Sequence, residues 1–243
     1  MTILDKLRHC RYGVVVLLCG FAYGCSTPKY TTVREHPEFQ ESKAQFKSLA
    51  VFPPDVAFQH LVFNGDHQSV PEREEAIAHE LAALLPGLLA ARGYEVKEFA
   101  FEEQAESDSD FAFEMSQLRD AYGRVSIELY DRALVKESES RSFDKSVGTV
   151  VNQFCARAQA DGLIVTRYYG FDKSKGMRAK EIAAAIAFAA LTGSYPMYPA
   201  RGSAVEVAML DCVSGDVLWT NAKSNQADNT DVLDWALADL PKI

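Results

Sequence analysis

The first 25 residues of the chain constrain everything that follows them. Lys6, Arg8 and Arg11 form a positively charged start, and an apolar run occupies residues 13–24. A helix that spans a bilayer needs about 20 apolar residues, so this run is too short to be a membrane span. A basic start, a short apolar run and small residues at its end are typical of a secretory signal peptide. We therefore expect residues 1–24 to be removed and the rest of the chain to fold outside the cytoplasm.

Residues 22–25 read Ala-Tyr-Gly-Cys. This stretch resembles a bacterial lipobox, in which the cysteine receives a diacylglycerol and becomes the new N-terminus. The resemblance implies that Cys25 is lipidated, with palmitate among its acyl chains, and Ser26 resembles the residue that follows the cysteine in outer-membrane lipoproteins. Ordinary signal-peptidase cleavage is the alternative, and it would leave Cys25 unmodified. A free N-terminal cysteine has no other evident use, so lipidation is favoured.

The bulk composition is that of a globular protein with an acidic surface. Its 243 residues are 48% hydrophobic and 24% charged, which suits one domain of about 200 residues. Removing residues 1–24 takes away three basic residues and one acidic residue, which lowers the net charge from -9 to -11. Nucleic-acid binding needs a basic face, so no nucleic-acid partner is expected.

The chain divides into three parts. Residues 26–47 are polar and show no apolar periodicity, which predicts a flexible tether. We therefore expect a signal peptide over residues 1–24, a lipidated N-terminal tether over 25–47, and a single α/β domain over 48–243.

Within the domain, segments with strand and helix patterns alternate, which indicates an α/β protein with one mixed β-sheet and helices packed on it. An acidic loop is expected at 100–109, and Pro86 is expected to kink or split the first helix. Strands are predicted at 48–52, 56–63, 94–99, 163–169, 204–211 and 217–220, and helices near 69–93, 110–129, 145–160, 177–191 and 230–240.

Two pieces of sequence carry a second resemblance. Residues 49–54 read Leu-Ala-Val-Phe-Pro-Pro, and residues 210–219 read Leu-Asp-Cys-Val-Ser-Gly-Asp-Val-Leu-Trp, a hairpin with its turn at Gly215. Together they resemble the α/β domain of bacterial envelope lipoproteins, a group that includes the curli-secretion lipoprotein and the penicillin-binding-protein activators. The resemblance implies a mixed sheet with packed helices, and a protein that binds other proteins or assembles into envelope complexes without catalysis.

Residues 182–191 are all apolar, inside a helix predicted over 177–191. A helix that is apolar all round must be covered on every side. Burial in the fold, docking of a partner or second copy, and membrane contact are the three alternatives. The candidate docking residues are Ile182, Ile186 and Phe188, together with Tyr195 and Tyr198 of the aromatic loop that follows.

Two cysteines remain in the domain, Cys155 and Cys212. Outside the cytoplasm such a pair can form a disulfide, and the alternative is two buried free thiols. Spacing alone does not decide between them.

The sequence contains no recognisable catalytic or metal-binding motif. Its five histidines lack zinc-site spacing, and no phosphate loop or nucleophile elbow is present, so we expect no cofactor and no metal. The predicted function is a lipid-anchored protein-interaction or assembly module, on the periplasmic side of the bacterial outer membrane, that binds a protein partner or itself. The alternative is an envelope hydrolase, which would need a deep pocket around Arg167, Tyr169 and Asp172.

Overall fold

The computed structural model describes residues 28–194, 196, 199–227 and 229–243. The chain divides into two units, Met1–Tyr30 and Thr31–Ile243, and the second contains the fold. Cys25 and the predicted signal peptide lie outside the described residues, so their roles stay predictions.

Seven α-helices and ten strands are present in the described part of the chain. The strands are β1 (Tyr30–Thr31), β2 (Arg34–Glu35), β3 (Ser48–Val51), β4 (Asp55–Leu61), β5 (His67–Ser69), β6 (Glu95–Lys97), β7 (Val135–Lys136), β8 (Gly162–Lys173), β9 (Arg201–Asp211) and β10 (Val217–Asn225). The helices are α1 (Phe39–Ser42), α2 (Pro71–Ala90), α3 (Phe101–Ser107), α4 (Ser109–Leu129), α5 (Asn152–Ala158), α6 (Lys175–Thr192) and α7 (Asp231–Ala238).

A mixed sheet organises the domain, as the sequence predicts. Its strand order is β2-β10-β9-β8-β3-β6, with β4 also paired to β8 and β5 paired to β4. The pairs of β3 with β6, β3 with β8, and β4 with β8 are parallel, whereas β8, β9, β10 and β2 pair antiparallel. The strands β1 and β7 form a separate two-stranded sheet. The predicted β9–β10 hairpin is confirmed, and Gly215 in its turn has φ 79°, where glycine is favoured.

Helices cover both faces of the sheet. On one face, α2 and α7 bury apolar side chains against β8 and β9, and Leu81 and Leu85 are fully enclosed. On the other face, α4 and α5 pack through the stripe that the sequence predicts, which includes Phe111, Met115 and Leu118. Two apolar layers therefore enclose the sheet, and each supplies a separate part of the core.

The folded unit begins earlier than the sequence indicates. Arg34 is 1% exposed, and Phe39 and Phe46 are buried in the core. Within β2, Glu35 pairs with Trp219 at the edge of the main sheet. Residues 31–47 are thus part of the domain and not of a tether. Their buried positions are irregularly spaced and their strand has two residues, so no periodic pattern could reveal them.

The segment predicted as an acidic loop is mostly helical. Phe101–Ser107 forms α3, and its first residue, Phe101, is 3% exposed and packs edge to face on Phe52 at 5.5 Å. The acidic residues of α3 face outward, while this one aromatic ring fixes the helix to the core. A single anchor of this kind gives no periodicity that the sequence could show.

Cys155 in α5 and Cys212 after β9 form a disulfide, with their Cα atoms 5.6 Å apart. Of the two alternatives that the sequence leaves open, the structure contains the bonded pair. The bond joins a helix on one face of the sheet to the β9–β10 turn.

Candidate docking surface

The apolar helix α6 is exposed along most of its length. Ile182, Ile186 and Phe188 have 53%, 59% and 48% of their surface accessible, and Leu191 has 86%. An apolar side chain that is exposed alone is ordinary, but four on one helix expose a large apolar area, which is typical of interaction sites. The structure therefore excludes burial within the fold as the explanation of this helix.

One narrow stripe attaches α6 to the rest of the domain. Its least exposed residues are Met177, Glu181, Ala185 and Ala189, and Ala185 is 1% exposed. A spacing of four keeps these side chains on one line along a helix. Ile182, Ile186, Phe188 and Leu191 lie outside this stripe and are 48% or more exposed.

The start of α6 is firmly fixed to the sheet. Ser174 caps the helix by accepting a hydrogen bond from the Met177 backbone N–H at 3.1 Å, and its own N–H donates to the Leu61 carbonyl at 2.9 Å. Lys173 Nζ lies 2.7 Å and 2.9 Å from the two carboxylate oxygens of Glu181, and both side chains are largely buried. The helix is therefore held in place by its first two turns, and its apolar part is presented on a fixed support.

Phe63 extends the apolar patch beyond the helix. Phe63 is 60% exposed and lies against the first turn of α6, where a Cβ atom added at Gly176 would be 3.5 Å from Cδ2 of its ring. Lys180 Nζ lies 5.5 Å from the centre of the same ring. We call Phe63, Ile182, Ile186, Phe188 and Leu191 the α6 surface.

Of the predicted docking residues, Ile182, Ile186 and Phe188 lie on the α6 surface, whereas Tyr195 and Tyr198 are outside the described residues. Sequence reasoning missed Phe63. Phe63 directly precedes the Asn64-Gly65 turn, and an aromatic residue beside a turn is the sequence feature that could have identified it as a docking residue.

The first two turns of α6 are basic. Lys175, Arg178 and Lys180 are exposed there, and the only acidic residue of the helix, Glu181, is bonded to Lys173. The helix thus joins a basic half to an apolar half, in a chain whose net charge is -9.

The residues suggested for a hydrolase do not form one site. Arg167 and Tyr169 alternate with Asp172 along β8, so Asp172 lies on the opposite face of the sheet. There its carboxylate is 2.5 Å from Nδ1 of His60. The candidate group is therefore divided between two faces.

Arg167 belongs to a polar cluster beneath α4. Its guanidinium donates to the Ser126 hydroxyl at 3.2 Å and to the Tyr169 hydroxyl. The Glu206 carboxylate accepts from Ser126 at 2.7 Å and from the Tyr122 hydroxyl. These hydroxyls and charges satisfy one another, and the five side chains include neither a histidine base nor a cysteine nucleophile. An open cavity of about 460 Å³ adjoins the cluster at Arg167.

A larger groove, of about 820 Å³, lies at the carboxyl ends of β3 and β6, between α2 and α3. The buried Phe52, Phe101 and Met115 line it, and its rim is mainly acidic. The unsatisfied buried polar atoms of the described residues all lie elsewhere, so no buried polar group points into this groove. We assign it no ligand. The charged rim residues are Glu75, His79, Glu102, Glu103, Glu106 and Arg119.

Within the described ranges, no group of three His, Cys, Asp or Glu side chains is arranged to hold a metal ion. The helices of the same ranges include none that is both long enough and apolar enough to cross a membrane.

No protein-family model matches this chain, and no curated protein matches it in sequence. Two solved structures are similar to it. The lipoprotein GNA1162 from Neisseria meningitidis is 11% identical with a TM-score of 0.31, over 79% of this chain and 91% of that chain. The LpoB C-terminal domain from Salmonella enterica is 10% identical with a TM-score of 0.27, over 79% of this chain and 96% of that chain. The first of these structures is a lipoprotein, and at these TM-scores neither carries an argument about this chain.

Proposed function

We propose that this protein is a lipid-anchored interaction module of the bacterial envelope that works by binding and assembly, not by catalysis. The basic start, the short apolar run and the lipobox-like residues 22–25 support export and acylation of Cys25. The Cys155–Cys212 disulfide supports an oxidising compartment such as the periplasm. Ser26 supports the outer membrane as the final location.

The α6 surface is the observation that carries this proposal. Ile186 and Phe188 are about half exposed on a helix whose apolar half is attached to the described residues mainly through a stripe around Ala185. Exposed apolar area costs roughly 25 cal/mol for each Å² left in water, so four such side chains on one helix favour an occupant in the functional state. A docking surface on a membrane-anchored domain is typical of a protein that works by binding.

The polar cluster at Arg167 gives the hydrolase alternative little support. Both carboxylate oxygens of Glu206 accept hydrogen bonds from hydroxyls of the domain, and the guanidinium of Arg167 donates within the same cluster. A hydrolytic site would need a nucleophile beside a base and open to substrate. The described cluster instead has the features of a structural network beneath a helix.

Labelled palmitate tests the anchor. We expect the wild-type chain to incorporate label in cells and to sediment with membranes, and Cys25→Ser to lose both properties. The double variant Cys155→Ala with Cys212→Ala is the matched control, and it should retain the label. Undiminished labelling of Cys25→Ser would overturn the lipid anchor.

A photo-cross-linking side chain tests the docking surface in intact cells. We expect a residue of this kind at position 186 to form adducts with a lipid or a protein, because Ile186 lies on the α6 surface. Position 127 is the matched control, since Ile127 is 73% exposed on α4, outside that surface. Equal adduct yields at the two positions would show that the α6 surface has no preferred occupant.

A further inference from the structure

We propose that the α6 surface docks on the lipid bilayer that carries the N-terminal anchor, so that the domain lies against the membrane through this helix. The inference rests on the proposed lipidation of Cys25 for its geometry. Its chemistry rests on the described residues alone. It names the occupant of a surface that the proposed function leaves open.

The chain between the anchor and the domain is short. Six residue steps separate Cys25 from Thr31, where the compact unit begins. A fully extended chain advances at most about 3.6 Å per residue, so these steps reach about 20 Å. A compact unit of this length has a radius of gyration of about 17 Å and hence a diameter of about 40 Å. The anchor therefore keeps the point where the chain enters the domain within about 20 Å of the bilayer.

The α6 helix begins at the end of the sheet where the chain enters. In β2, Arg34 pairs antiparallel with Thr220, so the chain runs from Arg34 back to Thr31 in the direction in which β10 runs toward Asn225. The Thr32 hydroxyl donates to the Asn221 side-chain oxygen at 2.6 Å, which places Thr32 beside β10 along this direction.

The pairing of the other strands continues this end across the sheet. Asn225 of β10 pairs with Ser203 near the start of β9, and Arg201 of β9 pairs with Asp172 near the end of β8. The helix α6 starts at Lys175, directly after β8. The entry of the chain, the last residues of β8 and the start of α6 therefore share one end of the sheet.

The chemistry of α6 suits an anionic bilayer. Lys175, Arg178 and Lys180 are exposed on its first two turns, and acidic phospholipid head groups attract such residues. The bulky apolar side chains of the α6 surface follow on the next turns, where they can enter the boundary between head groups and acyl chains. A basic segment next to exposed apolar residues is the composition of a helix that lies in a membrane interface.

The shape of α6 also favours a lipid surface over a protein. Alanine occupies positions 183, 184, 187 and 190 between the bulky residues, so the exposed face carries isolated projections. A fluid bilayer adapts to such a face, whereas a protein needs a complementary set of recesses. The attached stripe around Ala185 keeps the helix beside the domain, so it lies on the membrane surface and does not cross it.

Vesicle flotation tests the proposal with the lipid-free chain that starts at Ser26, which contains the whole compact unit. The probe is vesicles of phosphatidylethanolamine and phosphatidylglycerol in a 3:1 ratio. We expect the chain to float with these vesicles and Ile186→Asp to weaken binding by about tenfold or more, because a carboxylate replaces a buried aliphatic group. Ile127→Asp, at a position that is exposed but away from the α6 surface, should bind like the unchanged chain.

A second measurement does not depend on weakening the protein. An environment-sensitive dye on Leu191→Cys should shift to the blue when vesicles are added, and the same dye on Ile127→Cys should not. Absence of flotation together with absence of this shift would overturn the proposal. Self-association of the lipid-free chain that Ile186→Asp abolishes, without lipid binding, would overturn it in favour of a second copy.

The lipid anchor and the docking of the α6 surface on the bilayer can be disproved independently. Vesicle binding uses a chain that lacks Cys25, so its outcome does not depend on acylation. Loss of vesicle binding with retained palmitate labelling would leave the anchor in place and remove only the bilayer as the occupant of the α6 surface.

Discussion

Folding raises the pKa of three tyrosine hydroxyls, and their protonation couples the stability of the domain to pH. Burial raises the pKa of Tyr94 to about 12. Burial, and then the negative charge of Glu206, raise the pKa of Tyr122 well above its ordinary value. The pKa of Tyr130 is also raised, first by burial. The folded protein therefore keeps these protons at pH values at which an unfolded chain, with tyrosine pKa values of about 10, would release them.

The sign of the effect follows from this difference. A group whose pKa is raised by folding contributes stability that is complete below its unfolded pKa and is lost as pH rises through the folded pKa. We expect the free energy of unfolding to be nearly constant between pH 8 and about pH 9.5 and to fall above about pH 10. Urea unfolding of the chain from Ser26 at pH 9 and pH 11 measures it.

Tyr94→Phe is the control for this pH dependence. The Tyr94 hydroxyl donates to the Pro241 carbonyl at 2.9 Å, so the variant loses one hydrogen bond at every pH. Above pH 10 it also has one ionisable tyrosine fewer, so less stability depends on pH. We expect it to be less stable at pH 9 and to lose less on going to pH 11. A wild-type chain with equal stability at both pH values would contradict the assignment. The chain from Ser26 has no free thiol, so disulfide exchange does not enter the comparison.

At the scale of elements, the disulfide ties α5 to the β9–β10 turn across a sequence separation of 57 residues. Closing a loop of that length in the unfolded chain reduces its entropy, which stabilises the folded state by about 4 kcal/mol. We expect the double variant Cys155→Ala with Cys212→Ala to lose about this much free energy of unfolding. Urea denaturation measures it.

The reduced wild-type chain is the control for the double variant. Reduction breaks the same cross-link without changing the buried volume, so the two should agree within about 1 kcal/mol. A double variant as stable as the oxidised wild type would show that the disulfide does not stabilise the fold by reducing the entropy of the unfolded chain.

Elements with a strong periodic signal were predictable, and those held by isolated contacts were not. The stripe of Phe111, Met115 and Leu118 identified α4, because each of these residues is buried at helical spacing. Pro86, in contrast, does not split α2, which is continuous from Pro71 to Ala90. Proline removes the hydrogen bond to the carbonyl of residue 82, and Ala82 is exposed at the acidic groove, where water can satisfy that carbonyl.

At the scale of the whole molecule, the sequence showed that α6 needs a cover but not what supplies it. An apolar run over residues 182–191 looks the same whether the domain, a partner or a bilayer lies against it. The facts that support the proposed occupant are spatial, namely that residues 182–191 touch the domain mainly through a stripe around Ala185 and that the chain enters at the same end of the sheet. Neither can be obtained from local periodicity.

The start of the domain was missed for a related physical reason. The guanidinium of Arg34 is buried and donates to the carbonyls of Leu129 and Arg132 at 3.1 Å and 2.7 Å, between the rings of Tyr130 and Phe143. An arginine inside a domain satisfies carbonyl groups from a distant part of the chain, and a polar residue in a polar segment gives no sign of this role.

The last prediction concerns that boundary. A chain that starts at Thr31 should unfold at the same urea concentration as one that starts at Ser26, because the compact unit is intact in both. A chain that starts at Ser48 loses Arg34, Phe39 and Phe46 from the interior. Removal of one buried phenylalanine side chain alone costs about 3–5 kcal/mol, so we expect this chain to lose more than about 5 kcal/mol or to fail to fold.

For the lipid anchor proposed at Cys25, the truncation also tests how far the domain can lie from the membrane. If the chain from Ser48 were as stable as the chain from Thr31, residues 31–47 would be free to extend, and the reach from Cys25 would grow to roughly 80 Å at about 3.6 Å per residue. The domain would then no longer be confined to the bilayer. A large loss of stability instead keeps the reach at about 20 Å, which is the condition under which the basic and apolar halves of α6 meet the lipid.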